Sequence, residues 1–194
     1  GLTRDAGPPV EYDGMLLVKA GGRTVTALGA YARSSDASGA YTSLFAFVAL
    51  PWTLGGPPFF FVTGLAAGLG YNRALVVPAA VDDVVSHPLL RALDDGALAA
   101  DPAGALRAMR SMVPARRGGF WVAACVRFPS FALVHSMALV YVALDGGVEV
   151  GVLGVSRLLY PSADEAIASV ELALKARFSS AERLLSVQAQ LTDH

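Results

Sequence analysis

Charge is scarce in this chain of 194 residues. Asp, Glu, Lys and Arg make up 16% of it, against roughly 25% in an average soluble domain. The 15 basic and 16 acidic side chains nearly cancel, leaving a formal net charge of −1. A dedicated nucleic-acid binder, with its strongly basic footprint, is excluded. Cysteine is rarer still: Cys125 stands alone. This excludes an intramolecular disulfide framework and a Cys-cluster zinc site, and it leaves the compartment open. The histidines are His87, His135 and His194, no two of them at H-x-x-x-H spacing. No metal site, catalytic constellation or cofactor is expected. No signal-peptide pattern opens this segment, and localisation is undetermined.

Apolar residues are abundant, at 54%, with a mean hydropathy of +0.51. The longest charge-free run, residues 37–72, spans 36 positions, enough to mimic a transmembrane helix. Pro51, Gly55, Gly56, Pro57 and Pro58 interrupt it within eight positions. Phe, Val, Thr and Tyr flank the interruption at strand spacing. The run is therefore read as two buried strands, 40–50 and 59–67, joined by a Pro/Gly loop, and the chain as not an integral membrane protein. Both faces of 40–50 are apolar, so this strand is expected to be covered on both sides.

Nine strands are expected in all. Tyr12–Ala20 and Arg23–Arg33 are joined by a Gly21-Gly22 turn. A loop from Ser34 to Gly39 leads to 40–50 and then 59–67. After a change of period come 120–128, 131–144, 148–160, 167–178 and 184–192, with turns at Pro129, Asp145–Gly147, Pro161–Asp164 and Ser179–Arg183. The last two strands alternate cleanly, with Val170, Leu172, Leu174, Leu185, Val187 and Leu191 on a dry face and charged or amide side chains on a wet one. Between the two groups, apolar residues at 3–4 spacing mark helices. Pro88 splits the first of them, and Asp101-Pro102 caps another that ends at Pro114. The fold class is mainly β (α+β). It is an antiparallel meander, curved or sandwich-like, in which a two- to three-helix insertion over 78–114 packs on one face. The chain is read as a single β-rich domain, 1–194, and as a piece of a longer protein.

The block Gly55-Gly56-Pro57-Pro58-Phe59-Phe60-Phe61-Val62-Thr63-Gly64-Leu65-Ala66-Ala67-Gly68-Leu69-Gly70-Tyr71-Asn72-Arg73 resembles the signature of an uncharacterised, mostly actinobacterial family of unknown function. The segments 120–131, 153–157 and 170–174 are similar to it too. The resemblance covers most of the chain and implies membership of larger proteins. It brings no activity and no catalytic residues.

Each polar feature has a bland reading and a functional one. Gly64-x-x-x-Gly68-x-Gly70 follows a predicted strand but fits no phosphate-binding loop, so its small residues are read as permitting close approach of backbone or helix. Tyr71, Asn72 and Arg73 could bind an anion or a partner. The structural alternative has Arg73 snorkelling from a strand end and Asn72 in a turn. His135 is read as a hydrogen-bonded strand histidine and Cys125 as a buried small hydrophobe. The pairs Asp82-Asp83 and Asp94-Asp95 are read as solvent-facing. Charge is segregated. Residues 74–101 hold five Asp and one Arg, whereas 102–144 hold Arg107, Arg110, Arg116, Arg117 and Arg127 and no acid. Either neighbouring helices pair across their exposed sides, or Arg107, Arg110, Arg116 and Arg117 form a patch for phosphate or anionic lipid heads.

Two function classes follow. The leading one is a non-enzymatic structural or interaction module of a larger bacterial protein, presenting a β-sheet surface to adjacent modules or another protein. The alternative is a carrier, in which curved sheet and helices enclose a groove for a lipid-like ligand. That reading needs a large cavity not filled by Phe45, Phe47, Trp52, Phe59 and Phe61. An enzyme ranks third, and a pocket gathering Asn72, Arg73, His135 and an Asp would raise it.

Overall fold

A computed structural model describes residues 2–5, 10–20, 23–57, 59–94, 101–131, 133–160 and 168–193. The expected turns at Gly21-Gly22 and Pro161–Asp164, together with Asp95, Ile167 and His194, lie outside the described residues.

Ten strands lie side by side in sequence order, every neighbouring pair antiparallel. They are β1 (Leu2–Asp5), β2 (Val10–Ala20), β3 (Arg23–Asp36), β4 (Gly39–Leu50), β5 (Gly64–Arg73), β6 (Ala115–Ser130), β7 (Val134–Leu144), β8 (Val148–Tyr160), β9 (Ala168–Ser179) and β10 (Leu184–Asp193). The sheet is curved but does not close, since β1 and β10 each have one neighbour. The mainly β meander matches the sequence reading, with β1 added to the expected nine.

The helical segment stands between β5 and β6. A 3-10 turn, Asp82–Ser86, precedes α1 (Pro88–Arg91) and α2 (Pro102–Met112). Pro88 opens α1 at a position where the missing N–H costs nothing. The Asp101 carboxylate caps α2 by accepting from the Gly104 N–H at 2.8 Å.

The expected strand at 59–67 is displaced. Phe59 and Phe60 lie in a turn, and Val62 makes only an isolated bridge with Gly55. β5 is instead the small-residue run itself. Gly68 pairs with Phe47 and Gly70 with Trp121 across the sheet. A Cβ on Gly70 would sit 2.1 Å from the Trp121 Nε1, and one on Gly68 would sit 2.8 Å from the Phe47 ring. The aromatic rings lie over the glycines, and this close approach requires them. Gly151 takes the Tyr141 ring in the same way.

One face of the sheet carries the core. Leu28, Phe45, Phe47, Trp121, Leu139, Tyr141 and Leu153 pack under Val84, Leu89, Leu90, Leu93, Met109 and Val113 of the helical segment. At about 25 cal/mol per Å² of apolar area, this burial is the main term holding the helices on the sheet. Among the described residues nothing covers the other face, and this corrects two expectations. β4 is covered on one side only: Leu44 and Val48 stay 42% and 40% exposed while Phe45 and Phe47 are buried. In β9 and β10 the apolar side is the uncovered one, with Leu185, Val187 and Leu191 all more than 60% exposed. The reason is topological. The helices can cover only one face of a single layer, and they cover the face that carries Trp121.

Candidate functional site

The polar residues singled out in the sequence do not converge. After Tyr71 the register shifts, and Asn72 takes a left-handed conformation with φ 51°. Its side chain is spent on backbone: Nδ2 donates to the Thr42 carbonyl at 2.7 Å, and Oδ1 accepts from the Gly118 N–H at 2.8 Å. This bulge turns Arg73 toward the core. Tyr71 stays on the open face, 55% exposed.

Arg73 does not snorkel. It is 2% exposed, with Nη1 donating to the Val113 carbonyl at 3.0 Å and Nη2 to Glu11 Oε1 at 2.6 Å. The Phe45 ring lies 5.4 Å from its guanidinium carbon. The second oxygen of Glu11 takes Arg110 Nη2 at 2.6 Å, and Arg110 Nη1 reaches Asp13 Oδ2 at 3.0 Å. A burial this deep holds a charge only when it is paired and hydrogen-bonded. The four residues form a chain of ion pairs, Arg73–Glu11–Arg110–Asp13, that fastens α2 to β2 and β5. Sequence reasoning missed Glu11 and Asp13. Their signal was two carboxylates at i, i+2 on the face of β2 that also carries Met15 and Leu17.

The remaining cations are placed one by one. Arg117 donates to Asp36 from Nε at 2.8 Å and to the Gly39 carbonyl from Nη2 at 2.6 Å, and it stacks on Tyr41. The ion pair lowers the Asp36 pKa and raises that of Arg117. Arg116 pairs with Asp145 at 2.8 Å. Arg107 is exposed on α2. So Arg110, Arg116 and Arg117 find their partners on strands and a hairpin turn, not on a neighbouring helix. The expected helix-to-helix pairing gives way to helix-to-sheet pairing, because α2 and the start of β6 run over the acidic ends of β2 and β3.

A second polar cluster lies along β7, β8 and β9. The Tyr141 hydroxyl donates to Glu149 Oε1 at 2.9 Å. Arg177 Nε donates to Glu149 Oε2 at 2.7 Å, and its Nη2 to Glu182 at 3.0 Å. Burial, with Glu149 beside it, pushes the Tyr141 phenol above its ordinary range. A cleft of about 300 Å³ runs past this cluster to Arg73, Arg116 and Asp145. Its arginines all face carboxylates. His135 lies in a different cleft, at the opposite end of the sheet, with Asp94, Arg127 and Arg157. The gathering of Asn72, Arg73 and His135 that would have favoured an enzyme is absent among the described residues.

Cys125 is buried, its Sγ 3.5 Å from the Leu89 carbonyl, and burial pushes its thiol up to about 12. It is a packing residue, not a nucleophile. Among the described residues no cluster of three His, Cys, Asp or Glu could hold a metal ion.

The largest feature is the open face. Five rows of side chains lie on it, the first from β2 to β8, the second and third from β2 to β10, the fourth from β4 to β10 and the fifth from β6 to β10. One row reads Tyr12, Tyr31, Leu44, Tyr71, Phe120, Leu144, Val148. The row below reads Gly14, Gly29, Ala46, Leu69, Val122, Val142, Val150, Phe178, Leu185, and the third reads Leu16, Ala27, Val48, Ala67, Ala124, Val140, Val152, Ala176, Val187. The fourth and fifth end in Leu174 and Ala189, and in Leu172 and Leu191. The five rows hold no Asp, Glu, Lys, Arg or His. Ser136 and Ser156, in the fifth row, bond each other at 2.9 Å. With strands about 4.8 Å apart and residues rising about 3.4 Å, the face measures about 38 by 27 Å, or about 1,000 Å². Ordinary monomers expose apolar patches of about 300–600 Å² at most.

A single antiparallel layer with helices on one face and, among the described residues, a bare apolar face on the other defines a mainly β fold built on one curved, open sheet. The chain belongs to DUF6603, a family of unknown function, whose model matches residues 1–194. No curated protein and no solved structure matches it.

Proposed function

We propose that this chain is a non-enzymatic structural and interaction module, and that its open sheet face is the surface it presents to an adjacent module or another protein. The observation that carries this reading is the charge-free face of about 1,000 Å², larger than a standard partner footprint of about 800 Å². Exposed to water, such an area opposes solubility. Covered, it stabilises an assembly. Hydroxyl-radical footprinting of the native protein tests it. Tyr31, Leu69 and Tyr71 are expected to be modified more slowly than their side-chain exposure in the lone chain would allow. Modification at the full rate in the native protein would refute the reading.

A second reading, an apolar ligand, is supported by the same freedom from charge. It applies to the open face and not to the space between sheet and helices, which Phe45, Phe47 and Trp121 fill. Phe59 is 60% exposed and takes no part in that filling. Native mass spectrometry with no co-purified lipid would count against it. As for membranes, no helix among the described residues is long and apolar enough to cross one.

A further inference from the structure

We infer that the open face is built to pack against the same face of a second copy of this chain. The inference rests on the reading above, that the face is covered, and it names the cover. Area is the first argument: about 1,000 Å² per copy exceeds the roughly 800 Å² per partner of a stable interface. Charge is the second. An isologous contact sets each residue against its own kind or its two-fold mate, so any charge on the face risks self-repulsion. The five rows carry none, Arg33 lying one step beyond Tyr31 at their margin, and the Ser136–Ser156 pair is already satisfied.

Relief is the third argument. Along the second row, side-chain size rises from Gly14, Gly29 and Ala46 at β2–β4 to Phe178 and Leu185 at β9–β10. A two-fold axis parallel to the strands, through β6, reverses strand order and keeps row height. It lays Phe178 and Leu185 of one copy over Gly29 and Gly14 of the other. In the third row the same axis sets Val140 against Ala67, and Val48 against Val152. Two copies share one twist, so their sheets can pack aligned, about 10 Å apart and crossing at about 30°. Val122, in the middle strand of the nine from β2 to β10, lies at the axis and meets its own copy.

Cysteine placement tests this. Val122 is 40% exposed, and the only native cysteine, Cys125, is buried on the other face. A bismaleimide linker of about 8 Å is expected to join Val122→Cys into a dimer across the axis, where facing backbones about 10 Å apart are too distant for a disulfide. Val187→Cys, at the far edge and opposite Leu16 of its mate, is expected to give none. Val122→Glu is expected to weaken dimerisation about 100-fold or more, since it buries an unpaired charge. Circular dichroism should show the fold unchanged, because the position is on the surface of the lone chain. Light scattering that shows a dimer, with cross-linking at 122 and not at 187, supports the inference. Cross-linking at 187 and not at 122 means edge pairing through β10 and overturns it. A monomer carrying lipid overturns the second copy and leaves a covered face standing. A bare monomer also overturns the second copy and leaves the face to an adjacent module or another protein.

Discussion

Glu11→Gln is expected to damage this fold more than its conservative chemistry suggests. Glu11 neutralises two guanidiniums, Arg73 at 2.6 Å and Arg110 at 2.6 Å. Arg110 is 31% exposed and keeps Asp13, so it tolerates the change. Arg73 is 2% exposed; with Glu11 neutral it keeps the Val113 carbonyl and the Phe45 ring but no counter-charge. Removing one partner of a buried pair costs about 3–5 kcal/mol. Arg73→Met removes the cation instead. It leaves Glu11 its bond to Arg110, and the expected cost is smaller, about 1–3 kcal/mol for a lost charged hydrogen bond. The double variant Arg73→Met/Glu11→Gln is expected to recover part of the Glu11→Gln loss, because no uncompensated buried charge remains. Urea denaturation at neutral pH measures all three, with midpoints compared at unchanged slope. A Glu11→Gln loss below about 1 kcal/mol, or strictly additive losses, would refute the account of these ion pairs as mutually compensating charge.

Two further outcomes follow from buried side chains. His87 is 1% exposed, and burial lowers its pKa to about 4 from an ordinary 6.5, offset only in part by the Val76 backbone. The unfolded chain therefore takes up a proton between pH 6.5 and 4 that the folded chain refuses. Stability is full above about pH 7 and falls with acidification across that window, by up to about 1.4 kcal/mol per pH unit and about 3 kcal/mol in all; denaturation of His87→Phe, which does not titrate, is expected to show a flatter acid limb. Gly70→Val would place a Cβ about 2.1 Å from the Trp121 indole, and the forced shift is expected to cost about 1–3 kcal/mol. A change in Trp121 fluorescence reports it, and an unchanged spectrum and midpoint would show that the ring does not need the glycine.

Strand identity was readable where alternation was strong, as in β9 and β10. The insertion was readable because Pro88 and Asp101-Pro102 punctuate it. The GLAAGLG run was not. Small residues carry no alternation signal of their own, and what makes them a strand is the Phe47 and Trp121 rings lying over them from β4 and β6. Arg73 was misread for a related reason. A bulge at Asn72 turned it inward, and the carboxylate that receives it is 62 residues away in sequence. The arginines of 107–117 could be located in the sequence, but their partners could not, because Asp13, Asp36 and Asp145 reach them only through sheet register and the run of α2.

The shortage of charge can now be traced to particular surfaces. Ionisable side chains in β8 to β10, such as Glu149, Glu171, Lys175 and Arg177, sit on the helix side, where Lys175 donates to the Pro78 and Ala79 carbonyls. Alternation then sends Val150, Leu172, Leu174, Ala176 and Phe178 to the open side. In a lone soluble sheet the pattern would be reversed, with charge outward and hydrocarbon under the helices. β6 and β7 are apolar on both sides along most of their length, as a strand between two covers would be. The polarity of each strand thus fits the second cover proposed for the face opposite the helices, one that contributes no charge.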